Sequence, residues 1–221
     1  MIGRLKSITS MFFTGLILAP SLAFAHEMVE VTITNITKGE IFTPIMVASH
    51  RRDAKLFTLG QPASTELEIL AESGNTAPLT DMLLNSGAAF DVVTSGGVLP
   101  PGASVTLKVK SDDHNKFISV ASMLVPTNDA FFSINGIRTP KKGHNLVLTS
   151  PAYDAGTEDN DEDCASIPGP PFICQGAGYN VSSGEGYVHI HSGIQGHGNL
   201  DASKHDWRNP VAQVTIRRVK K

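Results

Sequence analysis

Val29-Glu30-Val31-Thr32-Ile33-Thr34 alternates apolar and polar residues without a break. Successive side chains on a strand point to opposite faces, so this period of two predicts a strand with one face in a core and the other in water. The same alternation returns in Val105-Thr106-Leu107-Lys108-Val109-Lys110 and in Val211-Ala212-Gln213-Val214-Thr215-Ile216. More continuously apolar runs, at 44–48, 117–125, 131–134 and 145–148, read as core strands. Turn signals separate them: Lys38-Gly39, Gly96-Gly97, Pro100-Pro101-Gly102, Asn135-Gly136 and Lys142-Gly143. Short strands spaced this way predict an all-β fold, a sandwich or a barrel. Two helical pieces interrupt the pattern. Thr65 with Glu68 fits a capping box ahead of Leu67, Leu70 and Ala71, and Thr76 can cap a piece carrying Leu79, Met82 and Leu83. They end at Gly74 and Gly87 and read as a long crossover connection.

The N-terminus reads as an export signal. Arg4 and Lys6 precede an apolar stretch from Met11 to Ala19, and Ala23-Phe24-Ala25 offers a small-x-small cleavage site. That stretch is shorter than the roughly 20 residues of a membrane span, and no later segment suits an anchor. The expected organisation is a signal peptide over 1–25 and one domain over 26–221, periplasmic or secreted. The full chain has 18 basic and 21 acidic residues, and losing Arg4 and Lys6 takes the net charge to about −5. No basic patch is visible, which argues against a nucleic-acid partner. Cys164 and Cys174 then read as one disulfide in an oxidising compartment, closing a loop short enough to stabilise by at most about 3 kcal/mol.

The densest chemical feature lies in a Gly/Pro/acid-rich loop from Tyr153 to Gly186. Asp154, Glu158, Asp159, Asp161, Glu162 and Asp163 crowd together, and such carboxylates repel unless water or a cation neutralises them. Calcium suits them, because it accepts many oxygens in loose geometry. An EF-hand is excluded: Asp159, Asp161 and Asp163 fit its first ligands, but Cys164 stands where the glycine belongs and Pro170 where the last glutamate belongs.

Three stretches carry a family resemblance. Val125-Pro126-Thr127-Asn128-Asp129-Ala130-Phe131-Phe132-Ser133-Ile134-Asn135-Gly136-Ile137, the motif Tyr153-Asp154-Ala155-Gly156-Thr157, and the closing Pro210–Ile216 segment resemble the spondin domain family. Segments like Gly60–Ser64, Gly74–Leu79 and His189–Ile194 are similar to its bacterial members. The resemblance implies an antiparallel β-sandwich similar to calcium-dependent lipid-binding domains, with a metal ion held by loops at one end. It places Asp129 and Asp154 as ligands, and Asn135 as a neutral oxygen where animal members carry a second aspartate. After Thr157 the pattern departs, with Glu158 and Asp159 as added candidate carboxylates and the cysteine loop inserted.

Histidines form a second constellation. His189 and His191 are two apart on an expected strand, so their rings share a face and can hold zinc or copper, with His50 or Asp206 as a third ligand, or can simply bond to loops. Cleavage after Ala25 would expose His26 as an N-terminal copper chelate. No nucleophile elbow, phosphate loop or dinucleotide fingerprint is present. The expectation is a non-enzymatic, exported calcium-binding module for adhesion or for binding an extracytoplasmic protein, glycan or lipid headgroup. The alternatives are a copper-dependent redox or carrier protein built on His26, and a ligand-free structural envelope protein.

Overall fold

The computed structural model describes residues 26–180 and 183–219. The expected signal peptide lies outside them. One sheet has four strands: β1 (Glu27–Asn35), β5 (Ser104–Ser111), β8 (Asn145–Ser150) and β11 (Ala212–Arg218), in the order β5-β1-β11-β8. The larger sheet runs β10-β9-β7-β6-β3-β4. Its members are β3 (Met46–His50), β4 (Ala89–Thr94), β6 (Phe117–Val125), β7 (Ala130–Arg138), β9 (Ala152–Asp154) and β10 (His189–Ile190), with short β2 (Ile41–Phe42) paired to β6. All pairings are antiparallel. The all-β fold expected from the alternation, and the antiparallel sandwich that the family resemblance implies, are what the chain forms.

The alternating strands β1, β5 and β11 build most of the smaller sheet, and β8, expected as a core strand, completes it at the edge with Val147 exposed. Val29, Val31 and Ile33 of β1 face the other sheet, together with Val109, Val214 and Ile216, and meet Val47, Ile118, Val120, Phe132 and Ile134. The more continuously apolar strands β6 and β7 lie in the larger sheet, which is covered on both faces. On its outer face Met46, Ala48, Ala121 and Phe131 pack under α1 (Thr65–Ser73) and α2 (Ala77–Asn85) through Leu67, Leu70, Leu79 and Leu83. The crossover helices are therefore a third layer. A short α3 (Ala202–His205) precedes β11.

Three local expectations shift. Ser64, not Thr65, caps α1, its hydroxyl accepting from Leu67 N at 3.3 Å. Thr76 makes no side-chain cap, and Asn75 Oδ1 accepts from Ala77 N instead. Asn135-Gly136 does not turn the chain. Gly136 takes a φ of +76° inside β7, the pairing with β6 shifts register opposite it, and the strand continues to Arg138. The positive φ that glycine allows is used for a bulge rather than a hairpin.

Candidate metal centre

β9 sets the site. It lies between β7 and β10, with Ala130 and His189 directly opposite Asp154 on either side. Asp154 is buried and folds the chain after it: its Oδ1 accepts from Gly156 N at 2.8 Å. Gly156 has a φ of +70°, and a Cβ there would come within 2.3 Å of Tyr187 O, so only glycine fits. This turn delivers Thr157 N and Glu158 N onto Asp129 Oδ2, at 2.8 and 3.3 Å. The β6–β7 hairpin, which carries Asp129, is thereby joined to the acidic loop.

Three buried carboxylates follow one another as electrostatic neighbours, the charge of Glu72 acting on Glu158 and that of Glu158 on Asp129, without their oxygens closing to within 4.8 Å as one group. Asp129 and Glu72 are fully buried and Glu158 nearly so. Each keeps an oxygen with no hydrogen-bond partner: Asp129 Oδ1, Glu158 Oε2 and Glu72 Oε1. Their second oxygens are engaged, Glu72 Oε2 by Asn180 N at 3.0 Å and Glu158 Oε1 by Asn180 Nδ2 at 3.5 Å. Burial, then the charges of Asp154 and Glu158, hold the Asp129 carboxyl well above its usual range. Burial, then Glu72 and Asp161, push Glu158 up to about 7. Burial raises Glu72 as well, against the hydrogen bonds of the Asn180 backbone and the Thr157 side chain, with the charge of Glu68 adding to the rise. Among the described residues no lysine or arginine pairs with any of the three. Such a group is costly to ionise without a partner. Beside it a polar cavity of about 210 Å³ is lined by Asn128, Glu158, Asp159 and Asp161. Oxygen-only donors with unmet acceptor capacity fit a hard cation of the calcium kind.

Of the residues read from sequence, Asp129 and Glu158 enter this group. Asp154 adjoins it, with Oδ2 taken by Asn160 Nδ2 at 2.8 Å. Asp159 is exposed beside the cavity. Asn135 stands apart, some six residues along β7 and so about 20 Å away at the usual strand rise. Its amide holds another loop, Oδ1 accepting from Leu56 N and Nδ2 donating to Phe57 O, both at 2.9 Å. That leaves Asn135 no part in the cluster. Glu72 was not expected. Its only signal is an acid beside the apolar stripe of α1, a place ordinarily assigned to solvent. Glu162 is buried but satisfied, accepting from Gln195 N, Gly196 N and His197 N at 2.6, 2.7 and 3.1 Å.

The histidines divide. Both His189 and His191 point at Asp154, their Nε2 atoms 3.5 and 3.8 Å from its oxygens. His191 is locked: Nδ1 accepts from Gly193 N at 2.9 Å, which leaves the proton on Nε2 to donate to Asn160 Oδ1 at 3.0 Å. Glu185, rather than His50 or Asp206, completes a group with Asp154 and His189, whose ligand atoms all lie within 4.8 Å of one another. His50 is buried with both ring nitrogens bonded, to Arg51 O and Ser119 Oγ. His26 is exposed with its ring 5.1 Å from that of Phe90. Among the described residues neither His26 nor His50 joins a group of three ligand side chains.

The expected disulfide joins Cys164 to Cys174. No helix among the described residues is long and apolar enough to cross a membrane. A family model described as Spondin_N matches residues 35–163, a span that includes Glu72, Asp129, Asp154 and Glu158 and stops short of Glu185 and His189. No curated protein matches the chain.

Proposed function

Since the chain belongs to the Spondin_N family, we propose that it is a calcium-dependent recognition module of the extracytoplasmic space, one that binds rather than catalyses. Family and disulfide point to an extracellular module. The finer reading, a calcium-fixed surface for a protein, glycan or lipid headgroup in the periplasm or outside the cell, rests on one observation. Three buried carboxylates each keep an oxygen without a partner.

The three come from separate parts of the fold: Glu72 from the helical layer, Asp129 from the β6–β7 hairpin and Glu158 from the acidic loop. Calcium, when bound, supplies the positive charge that lets all three ionise together. Thr157 N and Glu158 N hold Asp129 in place, and the backbone of Asn180 holds Glu72. The ion would therefore fix the acidic loop against the sandwich and give the partner a rigid end to recognise. The test is thermal melting of exhaustively chelated protein, then with calcium, magnesium, or sodium at matched ionic strength. A rise specific to calcium supports the reading, and chelated protein that melts where the native preparation does refutes it.

A further inference from the structure

We propose that Asp154, Glu185 and His189 form a second cation site, selective for a borderline divalent transition metal of the zinc class. It rests on the geometry around His189 and does not depend on the calcium reading.

His189 Nδ1 lies 3.0 Å from Ile190 O, so it carries the ring proton and donates it to that carbonyl. Nε2 is turned toward two carboxylates. Against the lowering effect of burial, the Ile190 carbonyl and the charges of these carboxylates raise the ring's pKa, so this nitrogen offers its lone pair to a metal that displaces the proton held there. That atom is buried with no hydrogen-bond partner, yet it sits 3.5 Å from Asp154 Oδ1 and 3.5 Å from Glu185 Oε2. These separations are long for hydrogen bonds. They match instead the edge of a tetrahedron, since two ligands each about 2.1 Å from one metal stand about 3.4 Å apart.

The surroundings are those of a ligand set. A backbone carbonyl fixes the tautomer of the imidazole, the usual outer-shell partner of a metal-bound histidine. Asp154 is oriented on both oxygens, by Gly156 N and by the relay in which Gly193 N sets His191, His191 sets Asn160, and Asn160 donates to Asp154 Oδ2. One nitrogen and two carboxylate oxygens suit zinc, whereas calcium takes oxygen donors and gains nothing from an imidazole. Glu185 is part-exposed, which leaves a solvent approach and room for a water as fourth ligand.

The experiment is zinc titration of the calcium-free mature chain, read by competition with a chromophoric chelator, alongside His189→Ala and Glu185→Gln. Wild type should take up one zinc per chain. Both variants should weaken binding by at least the tenfold to hundredfold that losing an outer-shell partner already costs. Bound cobalt should show visible absorption that both variants lose. Affinity should rise with pH, because zinc must displace any proton on Nε2. Both variants should keep the wild-type melting response to calcium. If His189→Ala misfolds, Glu185→Gln carries the test, since its side chain lies on the exposed rim. Absence of zinc uptake by wild type, or uptake unchanged in the folded variants, overturns the proposal.

Discussion

Glu158 and Glu162 lie four residues apart in one acidic run, and both are buried, but the fold meets their charges in different ways. Glu162 receives three backbone N–H groups from residues 195–197, so the chain neutralises it from within. Glu158 is buried within reach of the charges of Glu72 and Asp161, keeps a partnerless oxygen and has its carboxyl raised to about 7. A buried carboxylate supplied with donors is a structural clamp. One supplied with further carboxylates requires a cation or a proton.

The sharpest way to break this contrast is at Glu162. Glu162→Ala leaves three N–H groups without their acceptor and should cost about 3 kcal/mol, with or without calcium. For a domain of this size that is a melting point lower by roughly 10 °C. The calcium-induced rise should persist; if it vanished, the clamp and the cluster would be one unit. Next comes calcium itself, worth about 2.7 kcal/mol at a hundredfold excess over Kd. Glu72→Gln and Asp129→Asn should each remove most of that rise in a calorimetric melt. A full response in both would place the ion elsewhere.

Without calcium, pH should expose the same strain. Glu158 ionises near its ordinary 4.5 when unfolded but only near 7 when folded, so the folded chain binds the proton more tightly. Calcium-free stability should therefore fall as pH rises through that window and level off above it. Burial raises Glu40 to about 7 as well, beside His205 rather than among the three carboxylates, so part of the slope should survive calcium and disappear only in Glu40→Gln. Denaturant melts across that range, with calcium and with chelator, separate the two portions. The smallest effect is expected at Asp159, which is exposed: Asp159→Asn should change calcium-free stability by less than about 0.5 kcal/mol.

The all-β class was legible because β1, β5 and β11 bury one face each, which leaves a period of two in the residue order; that the strands close as a sandwich was legible only through the family resemblance. β4 was not, because Ala89-Phe90-Asp91-Val92-Val93-Thr94 has no clean alternation. At the site, Asp129 and Asp154 were legible through motifs, and Glu158 through its place in the acidic run. Glu72 was hidden because α1 reaches the centre only by folding over the larger sheet, a tertiary fact with no local trace. Asn135 misled for a related reason: it follows Asp129 closely in sequence, but a straight strand carries it away from the loops. Glu185 lies in a stretch whose composition reads only as loop, and β10 brings it to Asp154.

Asp154 borders both groups of ligands, with Ala130, next to Asp129, on one flank and His189 on the other. Two cations seated on either side of one carboxylate repel each other and divide its charge, so occupancy of one seat should weaken the other. Linkage requires the effect to be mutual: the factor by which calcium lowers zinc affinity must equal the factor by which zinc lowers calcium affinity. A single aspartate would then make the protein a comparator of two ion concentrations, its state reporting their ratio rather than either one alone.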